Sequence, residues 1–86
     1  MTDPSAADLE RLAAGLDDKA YAVSLVTGQG RRPHLHITNR NATVLSENIY
    51  VGDDWYWWGW AERIAPVSEL TAAVESVARV LRVLGT

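Results

Sequence analysis

The apolar positions change period twice along the chain. Leu9, Leu12, Ala13 and Leu16 fall at i, i+3, i+4 and i+7, one stripe of a helix over residues 4–16. Asp3 is placed to cap it, Pro4 suits its first turn, and Gly15 followed by Asp17-Asp18 marks its end. From residue 19 the period falls to two. Tyr21, Val23 and Leu25 alternate with Ala20, Ala22, Ser24 and Val26, which predicts a strand over 19–27. Gly28-Gln29-Gly30 is a turn signal. A second strand follows Pro33, with Leu35 and Ile37 alternating against His34, His36 and Thr38. Asn39-Arg40-Asn41 is a second turn, because asparagine tolerates left-handed backbone. A third strand covers 44–51 and leads through Gly52-Asp53-Asp54 into a fourth over 54–61.

The helical period returns at the end. Leu70, Val74, Val77, Leu81 and Leu84 repeat at alternating spacings of four and three, and Val67, Ala73, Ala78 and Val80 widen the stripe. A helix over 66–84 is expected, with Pro66 in its first turn, Ser68 as an alternative cap, a Glu75–Arg79 pair on its outer side and Gly85 as its stop. The order α-β-β-β-β-α has connections short enough for hairpins. The fold class is therefore α+β: a two-layer sandwich with an antiparallel four-stranded meander and both helices on one face.

The register of the last hairpin decides which aromatic side chains are covered. A two-residue turn at Gly52-Asp53 pairs Val51 with Asp54 and Ile49 with Tyr56. Leu45, Ile49 and Val51 then share the helix-covered face with Tyr56, Trp58 and Trp60, and Tyr50, Trp55 and Trp57 fall on the open face. A three-residue loop would exchange the sets, because a one-residue slip turns every side chain over.

Composition sharpens this into a question about contact. All four tryptophans lie in the six-residue run Trp55-Tyr56-Trp57-Trp58-Gly59-Trp60, and phenylalanine is absent. With 86 residues the chain is one domain over 1–86, and such a domain buries only about 60–65% of its unfolded surface. Without cysteine there is neither a disulfide nor a thiolate site to reinforce it. The net charge of −3 argues against a nucleic-acid partner, although an aromatic strand is also what a single-strand stacking platform uses. No apolar run approaches the ~20 residues of a membrane span, and the acidic, polar start is unlike a secretory leader. A cytoplasmic protein with no membrane contact is expected.

Candidate chemistry is sparse. His34 and His36 share a strand face, but a metal site needs three or four converging ligands, and only spatial accident would add Glu47, Asp53 or Asp54. Two semi-exposed polar strand residues are the simpler reading, with a pH-sensitive element at an interface as a further hypothesis. Ser24, Ser46 and Ser68 lack a nucleophile-elbow context, and Gly28-Gln29-Gly30 is too short for a phosphate loop. Arg31, Arg32 and Arg40 are expected as solvated loop charge, the functional alternative being a small basic corner that recognises an acidic partner or phosphate. Glu62-Arg63 is expected as a charged hinge into the last helix.

The stretches Leu35-His36-Ile37-Thr38-Asn39, Leu45-Ser46-Glu47 and Trp57-Trp58-Gly59-Trp60-Ala61-Glu62-Arg63-Ile64-Ala65-Pro66 resemble a group of short actinobacterial proteins. These carry a W-W-x-W-A-x-x-I strand before a C-terminal amphipathic helix. The arginine-rich, alanine-rich composition fits such an origin: seven of the eight basic residues are arginine. The resemblance implies no catalytic residues and no cofactor, and it favours an interaction role linked to regulation. The expected function is thus a non-enzymatic protein–protein interaction module. It is expected to form a homodimer through the open sheet face, with Trp55, Trp57, Tyr50, His34 and His36 as contact residues. The broad stripe of the last helix is a second possible route to a dimer. The alternative function is a small-ligand or metal-binding domain with His34 and His36 beside Trp55 and Trp57.

Overall fold

The computed structural model describes residues 4–28 and 30–81. Its elements are α1 (Pro4–Gly15), β1 (Tyr21–Gly28), β2 (Arg31–Asn39), β3 (Ala42–Gly52), β4 (Trp55–Trp58), β5 (Arg63–Pro66) and α2 (Leu70–Val80). The strands form one antiparallel sheet in sequence order, β1-β2-β3-β4-β5. This is the expected α+β class with one strand more than expected. Asp3, Leu84 and Gly85, read as cap, stripe and stop, lie outside the described residues.

The chain reverses after α1 because the Asp17 carbonyl accepts from the amides of Ala20 and Tyr21, at 3.1 and 2.9 Å. The Asp17 carboxylate takes the Lys19 amide at 2.9 Å. Leu9, Leu12 and Leu16 then face Leu35, Ile37 and Ile49 across the core, and Ala73, Val77 and Leu81 extend it under α2. Val23 and Leu25, on the same sheet face, are half-buried at its margin. Buried Asn39 ties the β2–β3 turn to the end of α2: its amide donates to the Leu81 carbonyl at 2.6 Å, and its side-chain oxygen accepts the Asn41 amide at 2.8 Å. Gly15 allows α1 and α2 to meet, since a Cβ there would lie 2.9 Å from a Val74 methyl.

The β3–β4 register differs from the expected one by two residues. The turn is Asp53-Asp54, with φ of 53° and 63°, and it pairs Gly52 with Trp55, Val51 with Tyr56 and Ile49 with Trp58. Two consecutive positive φ values make a type I′ turn, whose twist matches that of the flanking strands. A shift of two preserves the faces, so Tyr56 and Trp58 are buried as expected, while Trp55 and Trp57 lie on the open side. Gly52 serves another purpose: a Cβ there would fall 2.7 Å from the Arg32 guanidinium, so the glycine leaves room for it.

The expected fourth strand over 54–61 is cut at Trp58. The Ala61 amide donates to the Trp58 carbonyl at 2.9 Å, and the Trp58 amide to Glu62 at 2.8 Å. Ala61 takes φ of 67°. A tight turn followed by one left-handed residue closes a three-residue hairpin loop. Glu62-Arg63 therefore does not lead into a helix; Arg63 opens β5. Pro66 ends β5 instead of starting a helix, Ser68 lies in a turn, and α2 starts at Leu70. The same turn takes Trp60 out of the core to which its spacing assigned it. Trp60 is 47% exposed, stacked on Trp58 at 4.9 Å, with its indole N–H on the Glu62 carboxylate at 2.8 Å.

Candidate functional site: the open face of the sheet

Antiparallel register sets out the uncovered face column by column. Val26 lies opposite His34 and Ser24 opposite His36; Tyr50 lies opposite Trp57, and Trp57 opposite Arg63. The His34 ring lies 5.0 Å from the Tyr50 ring. The rows of strands β2 to β5 thus bring Tyr50, Trp55, Trp57 and His34 onto one face, as the alternation predicted. His36 is on it too, one row away.

Two arginines organise these rings. The Arg63 guanidinium lies 5.1 Å from the Trp55 ring centroid and 5.3 Å from that of Trp57. Arg32 lies 5.4 Å from the Tyr50 centroid and donates to the Val51 carbonyl at 2.7 Å. Each exposed cation–aromatic contact contributes about 0.5–1 kcal/mol. The Trp57 indole N–H donates to the Gly52 carbonyl at 2.8 Å, which fixes the ring along the strand. These contacts hold the Arg32 guanidinium and the Trp57 indole in place.

The face differs in charge from the rest of an acidic chain. It carries Arg32, Arg63, His34 and His36. Among the described residues the one ion pair is Arg11–Asp8, on α1, so neither Arg32 nor Arg63 is neutralised by a bridging carboxylate. Most acids lie elsewhere: Asp8 and Glu10 on α1, Asp17 and Asp18 in the following turn, Glu47 on β3 opposite Ile37, and Glu69 and Glu75 at α2. Asp53 and Asp54 stand at the hairpin tip, and Glu62 precedes Arg63 with its carboxylate on the Trp60 indole. A cleft of about 420 Å³ opens beside Trp57, lined by Arg32, Tyr50, Gly52, Asp53, Gly59 and Ala61 among others.

The histidines are engaged within the sheet. His34 Nδ1 donates to the Arg32 carbonyl at 3.1 Å. His36 Nδ1 lies 2.8 Å from the Asn48 side-chain oxygen, and its Nε2 3.4 Å from the Thr38 hydroxyl. Among the described residues no set of three or more histidine, aspartate or glutamate side chains converges as metal ligands would. Glu47, Asp53 and Asp54 do not join the histidines.

Arg63 and Arg32 are the contacts that sequence reasoning missed. Arg63 stands on β5 and not in the expected hinge, because the chain turns at Gly59-Trp60-Ala61 although these residues keep the alternation of a strand. Arg31, Arg32 and Arg40 were expected in one corner, but Arg31 and Arg32 start β2 and Arg40 follows its end, where its Nε donates to the Asp18 carbonyl at 2.8 Å. The available signal was the short run Arg63-Ile64-Ala65-Pro66, which is long enough for one more edge strand.

Among the described residues no helix is long and apolar enough to cross a membrane. Comparisons of the chain with protein-family models, with curated proteins and with solved structures found no match.

Proposed function

We propose that the chain is a non-enzymatic protein–protein interaction module that binds an acidic segment of a partner on its open sheet face. The observation that carries this reading is the Arg63 guanidinium set against both Trp55 and Trp57, with no carboxylate bridging it among the described residues. Tryptophan, tyrosine and arginine are the residues that dominate binding energy at interface centres. Here they are adjacent, Trp57 and Arg32 are held by hydrogen bonds to the backbone, and the arginines carry charge that a partner carboxylate would meet in bidentate fashion.

Charge also bears on who the partner is. A symmetric dimer through this face would bury four arginines, Arg32 and Arg63 of each copy, with no carboxylate bridging them within their own copy among the described residues, which costs affinity on desolvation. An acidic partner removes that cost. The test is titration with a glutamate-rich peptide at low and moderate salt, in parallel with a single-stranded oligonucleotide of matched charge. Saturable peptide binding that weakens with salt, and at least tenfold in Arg63→Gln, supports the reading. Preference for the oligonucleotide, or an unchanged Arg63→Gln, contradicts it.

The cleft beside Trp57 favours a second reading, a small anionic ligand held by Arg32 against Tyr50 and Trp57. Thermal stabilisation by a small carboxylate or phosphate compound, lost in Arg32→Gln but retained in His36→Ala, would select it over the peptide reading.

A further inference from the structure

We propose that the outer edge of β1 pairs with the β1 edge of a second copy, joining two sheets into one across a two-fold axis at Ser24. This surface is separate from the aromatic face. The two edges of the sheet are protected unequally. β5 is four residues long, carries Arg63 and ends at Pro66, features that discourage further pairing. β1 is eight residues long, Tyr-Ala-Val-Ser-Leu-Val-Thr-Gly, with neither charge nor proline.

The hydrogen-bond phase identifies which groups are free. The Arg40 amide donates to the Ala20 carbonyl at 2.9 Å, continuing the Tyr21–Asn39 register. Antiparallel pairs alternate between bonded and non-bonded. Ala22, Ser24 and Val26 therefore bond to β2, and the amides and carbonyls of Val23 and Leu25 point outward. Tyr21 fits the same phase, because its amide turns to the Asp17 carbonyl instead of to β2.

A two-fold axis at Ser24 makes this edge self-complementary. Val23 faces Leu25 of the second copy as a bonded pair, and Leu25 faces its Val23. Their half-buried side chains lie on the helix-covered face and would complete each other's burial. Ala22 meets Val26 on the open side, with no charge opposed to a like charge. An uncharged edge whose free amides and carbonyls and apolar side chains meet their own copies reciprocally fits a second copy better than an unrelated strand.

The experiment is sedimentation equilibrium of the full chain from micromolar to millimolar concentration, with amide hydrogen exchange at both ends of that range. The expected result is a concentration-dependent rise to twice the chain mass, with protection of the Val23 and Leu25 amides rising in step. Ser24→Lys, at an exposed site, places two lysines at the axis and is expected to return the mass to that of one chain. Arg63→Gln is expected to leave the dimer intact. A single-chain mass throughout, or exchange at Val23 and Leu25 that ignores concentration, overturns the proposal. So does a dimer that survives Ser24→Lys. The exchange reading rests on the unmodified chain and stands even where the lysine variant folds poorly.

Discussion

The phenol of Tyr56 donates to the main-chain carbonyl of Asp8 at 2.7 Å, tying β4 to the middle of the first helix. The ring is wholly buried, and burial together with the nearby Asp8 carboxylate raises its pKa above the ordinary 10.0. The folded state thus holds this proton more tightly than the unfolded chain does. The associated stability is fully present below the unfolded pKa and is lost as pH rises through the folded one. Tyr56→Phe is expected to lower stability at neutral pH by about 1 kcal/mol and to flatten the alkaline decline. Urea unfolding at neutral and strongly alkaline pH measures both.

Ala61 holds a left-handed backbone, φ 67°, at the close of the β4–β5 hairpin. A side chain there costs roughly 1–2 kcal/mol, partly offset by the greater unfolded freedom of glycine. Ala61→Gly is expected to stabilise the protein by about 0.5–1 kcal/mol, read as a higher melting temperature. A lower one would show that the turn is held in another way.

Gly15→Ala is expected to destabilise although alanine favours helices, because its Cβ would lie 2.9 Å from a Val74 methyl. In a Val74→Ala background the same change is expected to stabilise, by up to about 1 kcal/mol. A double-mutant cycle in urea reads the reversal of sign.

Asn39 is buried and bonded at both ends of its amide, to Leu81 and to Asn41. Asn39→Leu is expected to cost about 2 kcal/mol, since it strands two partners. The loss would appear in urea unfolding and as faster exchange in the last turn of α2.

The two main periods of the sequence were enough for the α+β class, the meander and the helix-covered set of Leu35, Ile37, Ile49, Tyr56 and Trp58. What they could not convey was where a strand stops. Trp58-Gly59-Trp60-Ala61 keeps the alternation of a strand, yet its backbone turns, because one left-handed alanine closes a hairpin that glycine usually marks. That one turn creates β5, moves the start of α2 to Leu70, exposes Trp60 and puts Arg63 on a strand. Gly52 misled in the opposite direction: it reads as a turn glycine, whereas it makes room for Arg32 while two aspartates form the turn. The aromatic half of the open face follows from period two once the hairpin register is of the right parity; a shift of one residue would have exchanged the sets. Its arginine half was not, since Arg63 reaches Trp55 and Trp57 only through a strand that the pattern hides.

The open face is tested most directly by mapping amide and indole resonances of the isotope-labelled chain during titration with a glutamate-rich peptide. Saturable shifts are expected at Arg32, His34, Tyr50, Trp55, Trp57 and Arg63, with the Trp60 indole nearly still and the response abolished in Trp57→Ser. Absence of saturable shifts, or shifts concentrated on α1 and α2, would contradict the assignment of this face as the contact surface.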